Sequence, residues 1–278
     1  MRKTFRQLLN EQGHLILPCA HDAMSIRLIE EAGFHGCFIG GFGVAGSRFG
    51  LPDLGLASFG EIRDVIRDLV WSTGLPVLVD GDDGYGDVKN VTRAVQTYER
   101  LGAGGIVLED QTNPKRCGHM ARKEVVPVAE AEAKLKAAVA ARQSRDDFFI
   151  VARTDARGVN GLDDALARGE RFVSAGVDAL FIEAPVSVEE LRTIGKRFGE
   201  RIPLLINAAE KSRTPILPPE EYVGLGFRLI CYPGTILLRV VKAIEDALEE
   251  LKLGLRETPQ GLPSFERLTQ VFDIERWR

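Results

Sequence analysis

The sequence predicts a parallel (β/α)8 barrel, and three observations lead there. Short, continuously apolar runs alternate with amphipathic stretches from end to end. Eight such pairs fit into a length of about 250 residues, typical of a single barrel domain. Glycine closes most of the amphipathic stretches just before the next apolar run. Runs with no apolar–polar alternation suit parallel strands covered on both faces. A doubly wound open sheet shares the alternation but normally needs fewer strands.

Strands are expected at Leu15–Cys19, Gly36–Gly40, Pro76–Asp80, Gly105–Leu108, Phe148–Ala152, Ala179–Ile182, Pro203–Ile206 and Phe227–Cys231. Helices are expected at Ala23–Ala32, Phe59–Ser72, Val88–Leu101, Val128–Gln143, Leu162–Ala175, Ser187–Phe198, Pro218–Leu225 and Thr235–Leu253. Gly33, Gly74, Gly102, Gly176 and Gly226 stand where a left-handed residue ends a helix. The barrel is expected to occupy residues 1–256. Residues 257–278 are too few to fold alone and are expected to pack as a helical tail on the barrel or on a neighbouring subunit.

Composition narrows the function. A chain of 278 residues, 45% hydrophobic and 27% charged, excludes a disordered, fibrous or membrane-bundle protein. The net charge of −4 and the 7% aromatic content give no footprint for nucleic acid. Four widely spaced cysteines without a CxxC pair argue against a disulfide scaffold and a structural zinc site. No apolar stretch approaches ~18 residues, and the first twenty residues lack the apolar core of a signal peptide. A cytoplasmic protein with no membrane partner is expected.

Barrel chemistry is built at the C-terminal ends of the strands. There the third strand runs into Asp80-Gly81-Asp82-Asp83-Gly84-Tyr85-Gly86, the fourth into Glu109-Asp110 and the fifth into Arg153-Thr154-Asp155. The sixth runs into Glu183, the seventh into Asn207 and the eighth into Tyr232. Asp80 and Asp82 fall two apart, on one side of an extended chain. Like charges so close call for a cation or a proton between them. A hard, oxygen-ligated ion such as Mg²⁺ fits, and a solvated Asp-Gly turn is the plain alternative. The loop after the fourth strand places Cys117 among Lys115, Arg116 and His119, a setting that favours the thiolate. Taken alone, that loop fits a surface cysteine equally well. Cys37 and Cys231 lie inside apolar runs and are expected to pack as small hydrophobes. Cys19 near His21 forms a thiol–imidazole candidate without acyl-transfer neighbours. Gly40-Gly41-Phe42-Gly43 is a weak phosphate-loop signal.

Three segments, VDGDDGYG (79–86), LEDQTNPKRCGH (108–119) and ARTDAR (152–157), resemble the isocitrate lyase and phosphoenolpyruvate mutase superfamily. GLPDLG (50–55), FIEA (181–184) and SFERL (264–268) fit it as well. The chain length is similar to the shorter members, the 2-methylisocitrate lyase, 2,3-dimethylmalate lyase and carboxyphosphoenolpyruvate mutase types. The resemblance implies a Mg²⁺ ion, with Mn²⁺ as a substitute, on Asp80 and Asp82. It implies that Asp53 and Glu109 reach that ion through water or line the site. It makes Cys117 the catalytic cysteine of a mobile gating loop, with Gly118 and His119 beside it. It implies that the backbone of Gly40, Gly41 and Phe42 holds a keto-acid carboxylate, and that Arg153, Glu183 and Asn207 contact the substrate.

The activity so implied is cleavage of a 2-hydroxy di- or tricarboxylate, of the 2-methylisocitrate or alkylmalate type. The products would be an α-keto acid such as pyruvate and a carboxylate. Cys117 would be the acid, Arg153 would stabilise charge, and Glu109 or another rim carboxylate would be the base. A phosphonomutase and an oxaloacetate hydrolase or decarboxylase are the alternatives on the same scaffold. The resemblance also implies a homotetramer, a dimer of dimers whose subunits swap Thr235–Leu253. The chain departs from the lyase pattern at Gly40, His21 and Asp83, and in the placement of Arg239.

Overall fold

The computed structural model describes residues 2–118, 122–255 and 258–278. Eight parallel strands close a barrel in chain order. They are β1 (Leu15–Ala20), β2 (Cys37–Ile39), β3 (Val77–Asp80), β4 (Gly105–Glu109), β5 (Phe149–Thr154), β6 (Ala179–Ile182), β7 (Leu204–Asn207) and β8 (Phe227–Tyr232). β8 returns to β1 with Cys231 opposite Leu17, so no edge is left unpaired. The barrel expected from the apolar runs is the barrel observed.

The large helices follow the expected stretches. They are α2 (Ala23–Glu31), α4 (Phe59–Trp71), α5 (Val88–Leu101), α6 (Val128–Ala141), α8 (Leu162–Ser174), α9 (Val188–Phe198), α10 (Pro219–Gly224) and α11 (Thr235–Lys252). Polar residues start several of them: Asp22 with Ser25, and Ser58 with Glu61, form reciprocal caps on α2 and α4. Gly102, at φ +88°, stops α5 in the left-handed region. Gly74 does not play that part. Helix α4 ends earlier, on right-handed Ser72. The Gly74 N–H instead donates to the Glu30 carboxylate at 3.0 Å, and a Cβ there would lie 2.8 Å from Glu30 Oε1.

Three further helices were not anticipated, α1 (Phe5–Gln12), α3 (Gly41–Val44) and α7 (Ala156–Asn160), while α12 (Phe265–Val271) lies in the tail expected to be helical. Helix α1 matters most for the architecture. Phe5 and Leu8 join Leu17, Phe38, Leu78, Val107, Phe149, Phe181, Leu205 and Leu229 in the cluster that fills the barrel. The Phe5 and Phe149 rings lie 5.9 Å apart. The N-terminal mouth is thereby plugged with apolar side chains, and only the C-terminal mouth can hold chemistry. In the tail, α12 lies on α2, with Arg267 and Glu31 2.7 Å apart and Arg27 donating to the Val271 carbonyl. The boundary expected between residues 256 and 257 lies outside the described residues. Among the described residues, no helix is long and apolar enough to cross a membrane.

Gly195 shows how tightly the outer layer is packed. A Cβ built on it would lie 1.7 Å from the Leu225 carbonyl oxygen, which is backbone and cannot rotate away. Gly195→Ala is expected to cost about 3 kcal/mol and roughly 6–12 °C in melting temperature. Gly224→Ala, where a methyl meets nothing within 4 Å, should leave the melt unchanged or higher. Equal melting temperatures for the two variants would contradict this packing.

Candidate active site

The C-terminal mouth carries a row of polar side chains over the apolar filling. Asp80 ends β3, Glu109 ends β4, Arg153 lies in β5, Glu183 follows β6 and Asn207 ends β7. Asp80, Arg153, Glu183 and Asn207 face one cavity of about 320 Å³, together with Asp53, Gly40, Gly41, Phe42, Cys117 and Gly118. Among the expected residues, that leaves Asp82, Glu109 and His119. His119 lies outside the described residues.

Asp82 departs from the alternation argument. The strand has ended at Asp80, and Asp82 sits at φ +46° in a turn. Its N–H donates to Asp80 Oδ1 at 3.2 Å. Asp82 therefore opens onto a neighbouring cavity of about 240 Å³, lined also by Lys115, Tyr85 and Arg93. Glu109 lies behind Arg153, with its Oε2 3.3 Å from Arg153 Nη1. Its Oε1 is buried with no hydrogen-bond partner. Gly41, expected to offer its N–H to substrate, donates it to Asp80 Oδ2 at 3.1 Å.

Arg153 is the hub. Its Nε and Nη2 donate to the two oxygens of Asp155 at 2.9 and 3.1 Å, and Nη2 lies 3.5 Å from Glu183 Oε2. Its guanidinium also stands 5.3 Å from the centre of the Phe181 ring. Burial pushes the Asp155 carboxyl up, but Arg153 and Lys123 outweigh it and hold the group down at about 2. Glu109 shows the opposite balance. Burial drives its carboxyl well above the usual range, and Arg153 offsets this only in part. Glu183 is fixed at both oxygens, by the Ala184 N–H at 2.8 Å and the Asn207 amide at 3.0 Å. Ala184 adopts φ +58° to make that contact, a strained conformation of the kind that marks functional sites.

The loop after β4 folds over this row. Gln111 pairs through its side-chain amide with both the N–H and the carbonyl of Arg116. The Cys117 N–H donates to the Asp53 carbonyl at 3.1 Å. A Cβ on Gly118 would lie 2.4 Å from Arg153 Nη2 and 2.9 Å from Glu183 Cγ, so only glycine can pass there.

Lys115 is held by carboxylates. Its ammonium spans Asp53 and Asp82, at 2.7 Å from Asp82 Oδ1. Burial alone would lower its pKa, but Asp82, Asp80, Glu109 and Asp53 raise it well above the ordinary value. Burial pushes Asp82 up to about 6 against the pull of Lys115. Arg116, the next residue, is exposed.

Cys37 and Cys231 are buried as expected. Cys19 lies with its Sγ 3.7 Å from that of Cys231, and no thiol–imidazole pair forms with His21, whose Nε2 is 3.6 Å from Asp22. Sequence reasoning passed over three residues that the geometry brings in: Asp155, Lys115 as an ion bridge, and Lys123. For Asp155 a signal existed, because it stands two residues beyond Arg153.

Removing Lys115 should expose the repulsion it screens. Lys115→Met is expected to destabilise the protein most near pH 8, where Asp82 is ionised. The folded-state pKa of Asp82 lies above its unfolded value, so protonation favours the fold. The gap in melting temperature to the unsubstituted protein should narrow as pH falls through about 6. A gap that widens on acidification would exclude this account.

The comparisons with known proteins agree with this geometry. Residues 5–252 match the family described as phosphoenolpyruvate phosphomutase. The 2,3-dimethylmalate lyase of Eubacterium barkeri is 41% identical over 280 residues, covering 98% of this chain and 94% of that protein. The structure of oxaloacetate acetylhydrolase in complex with the inhibitor 3,3-difluorooxalacetate superposes with a TM-score of 0.93 at 33% identity, covering 99% and 93% of the two chains. That of phosphonopyruvate hydrolase in complex with oxalate and Mg²⁺ gives 0.88 at 28% identity, covering 98% and 95%. With matches of this extent, the chain belongs to the phosphoenolpyruvate mutase and isocitrate lyase superfamily of enzymes.

Proposed function

We propose that the protein cleaves the C2–C3 bond of a 2-hydroxy dicarboxylate, yielding an α-keto acid and a carboxylate, with a divalent cation held at Asp80. The observation that carries this reading is the placement of Cys117 and Gly118 on one cavity with Asp80, Arg153, Glu183 and Asn207. The donor set suits a hard cation. Oxygen atoms of Asp80 and Asp82 would each lie 3.4 Å from a Cβ on Gly41, with the Lys115 ammonium 3.3 Å from the same point. Glu109 Oε1 and Asn207 Oδ1 are buried without partners. When bound, Mg²⁺ would polarise the substrate's hydroxyl and carboxylate oxygens and ease loss of the hydroxyl proton.

The rest falls to the chain itself. Arg153, a planar fork rigidly held by Asp155, would receive a substrate carboxylate and neutralise charge as it develops. The hydroxyl proton would pass to a carboxylate that faces the cavity, directly or through one water; Glu109, set behind Arg153 and raised above the usual carboxyl range by burial, is not placed to take it directly. The C2–O bond would become a carbonyl, and the C2–C3 electron pair would pass to C3 as an enolate of the departing carboxylate. Cys117 would protonate that carbon from the loop side. Loop residues packed over the mouth would keep water out and strengthen each of these interactions.

The cavity wall favours a dicarboxylate over a tricarboxylate. The cavity lining also includes Phe42, Pro233, Leu237 and Leu238, together with Glu210. Arg239, the candidate partner for a third carboxylate, is paired with Glu210 at 3.0 Å and accounted for. An alkyl substituent would be at home on that wall, and a carboxylate would not.

A panel of alkylmalates, 2-methylisocitrate, oxaloacetate and phosphonopyruvate, with detection of keto acid, tests the reading. Alkylmalates should lead 2-methylisocitrate by at least ~10-fold in kcat/KM. Excess chelator should abolish turnover, and Mg²⁺ or Mn²⁺ should restore it. Cys117→Ser should lower turnover by at least ~100-fold. Full activity in chelator would sink the metal-assisted reading, whereas a fully active Cys117→Ser would sink the lyase and move the hydrolase or mutase ahead.

We further propose a homotetramer, in which α11 packs on a partner subunit. No residue of α11 is buried, and Leu238, Val241, Ile244, Leu248 and Leu251 form an exposed stripe at helical spacing. Light scattering should report four chains, whereas a monomer at micromolar concentration would overturn this. The composition keeps the cytoplasm as the proposed location.

A further inference from the structure

One buried cation beside the cavity has no part in the reaction just derived. The Lys123 side chain is 4% exposed. Its ammonium donates to the Gly118 carbonyl at 2.5 Å and to Asp155 Oδ1 at 2.6 Å. Asp155 Oδ1 is the same oxygen that accepts from Arg153 Nη2. On its far side the lysine lies against Gly158 of α7, where a Cβ would come within 3.5 Å of its Cε and Nζ. An ammonium taken out of water must be met by acceptors or it destabilises the fold strongly. Both acceptors here have another role: one belongs to the backbone next to Cys117, and the other orients the substrate-binding guanidinium.

We propose that Lys123 is a positioning residue that ties the Cys117–Gly118 backbone to the Asp155–Arg153 pair. Its ammonium fixes the distance between the acid and the guanidinium by bonding to the anchor of each. Gly118 is already within van der Waals reach of Arg153 and Glu183. Contact alone prevents closer approach, and the ammonium prevents retreat. The consequence for turnover rests on the lyase reading, whereas the mechanical role does not.

The experiment is therefore chosen to read the backbone position without substrate. Lys123→Met removes the charge at similar volume, and Lys123→Gln keeps a donor without charge. In the ligand-free proteins, the rate of Cys117 alkylation by iodoacetamide is followed by mass spectrometry of its peptide, with buried Cys37 and Cys231 as internal references. Lys123→Met should alkylate at least ~10-fold faster than the unsubstituted protein, with Lys123→Gln between them. The references should be unchanged, since a general loss of structure would accelerate them too. If Lys123→Met does not fold, the Lys123→Gln rate decides. In turnover, Lys123→Met should lose ~10–100-fold, mostly in kcat, as expected when a catalytic group is displaced by about 1 Å. Alkylation of Cys117 at the unsubstituted rate in the folded variants overturns the proposal, whatever happens to turnover. Faster alkylation in a protein that cleaves none of the panel substrates would leave this role standing and remove the lyase reading instead.

Discussion

The structure depends on how buried negative charge is balanced at the C-terminal mouth of the barrel. Asp53, Asp80, Asp82, Glu109, Asp155 and Glu183 outnumber the cations that touch them, Lys115, Arg153 and Lys123. Where a carboxylate has two close cations, as Asp155 does, it stays ionised far below neutrality. Where it must share one, burial wins: Asp82 rises to about 6 and Glu109 rises well above its usual range. A rim short of positive charge either holds protons or attracts a cation. That shortage gives the proposed divalent ion its physical basis. It also explains why the loop lysines turn inward, since each finds an acceptor there that solvent cannot displace.

Such a rim needs a scaffold that does not yield, and the backbone around it is correspondingly constrained. Asp82, Tyr85 and Ala184 all occupy the left-handed region without being glycine, at a cost of order 1–3 kcal/mol each. The hydrogen-bonded cylinder beneath them absorbs that strain. Gly105 shows how little slack remains, because a Cβ there would lie 2.4 Å from the Phe149 carbonyl of the adjacent strand. The plugged N-terminal mouth contributes as well. With Phe5 closing the bottom, side-chain layers inside the barrel cannot shift downward to accommodate a displaced rim.

What the sequence could reveal divides along the range of the interactions. Parallel strands buried on both faces produce uninterrupted apolar runs, so β1 to β8 could be read directly. The residues just beyond those runs had to meet at one mouth, and this placed Asp80, Arg153, Glu183 and Asn207 correctly. Features set by contacts between distant segments could not be read in this way. The direction of Lys115 depends on Asp53 and Asp82, which approach from other loops. Asp82 follows its turn and not the pleat, so the alternation rule failed two residues past the end of β3. Gly74 looked like a helix terminator, but α4 ends earlier and the Gly74 N–H is taken up by the Glu30 carboxylate, which arrives from α2. Helix α1 escaped notice because a short plug has no partner strand to announce it.

The cavity is lined by two unlike kinds of residue, and this bears on why a thiol should stand among them. Asp80, Asp53, Arg153, Glu183 and Asn207 are polar or charged, whereas Phe42, Pro233, Leu237 and Leu238 are apolar. The proposed reaction would break a bond between a polar keto acid and a less polar fragment, and such a lining suits both. An acid placed there must give up a proton to carbon without adding a resting negative charge to a rim already rich in carboxylates. A carboxylic acid would not satisfy this. It would either ionise and repel the substrate or be pushed so high by its neighbours that it no longer released its proton. An ordinary thiol, with a pKa of ~8.5, is neutral near pH 7 and still within reach of proton transfer. In the proposed reaction, the same excess of negative charge that favours a cation at Asp80 would favour a neutral acid at Cys117.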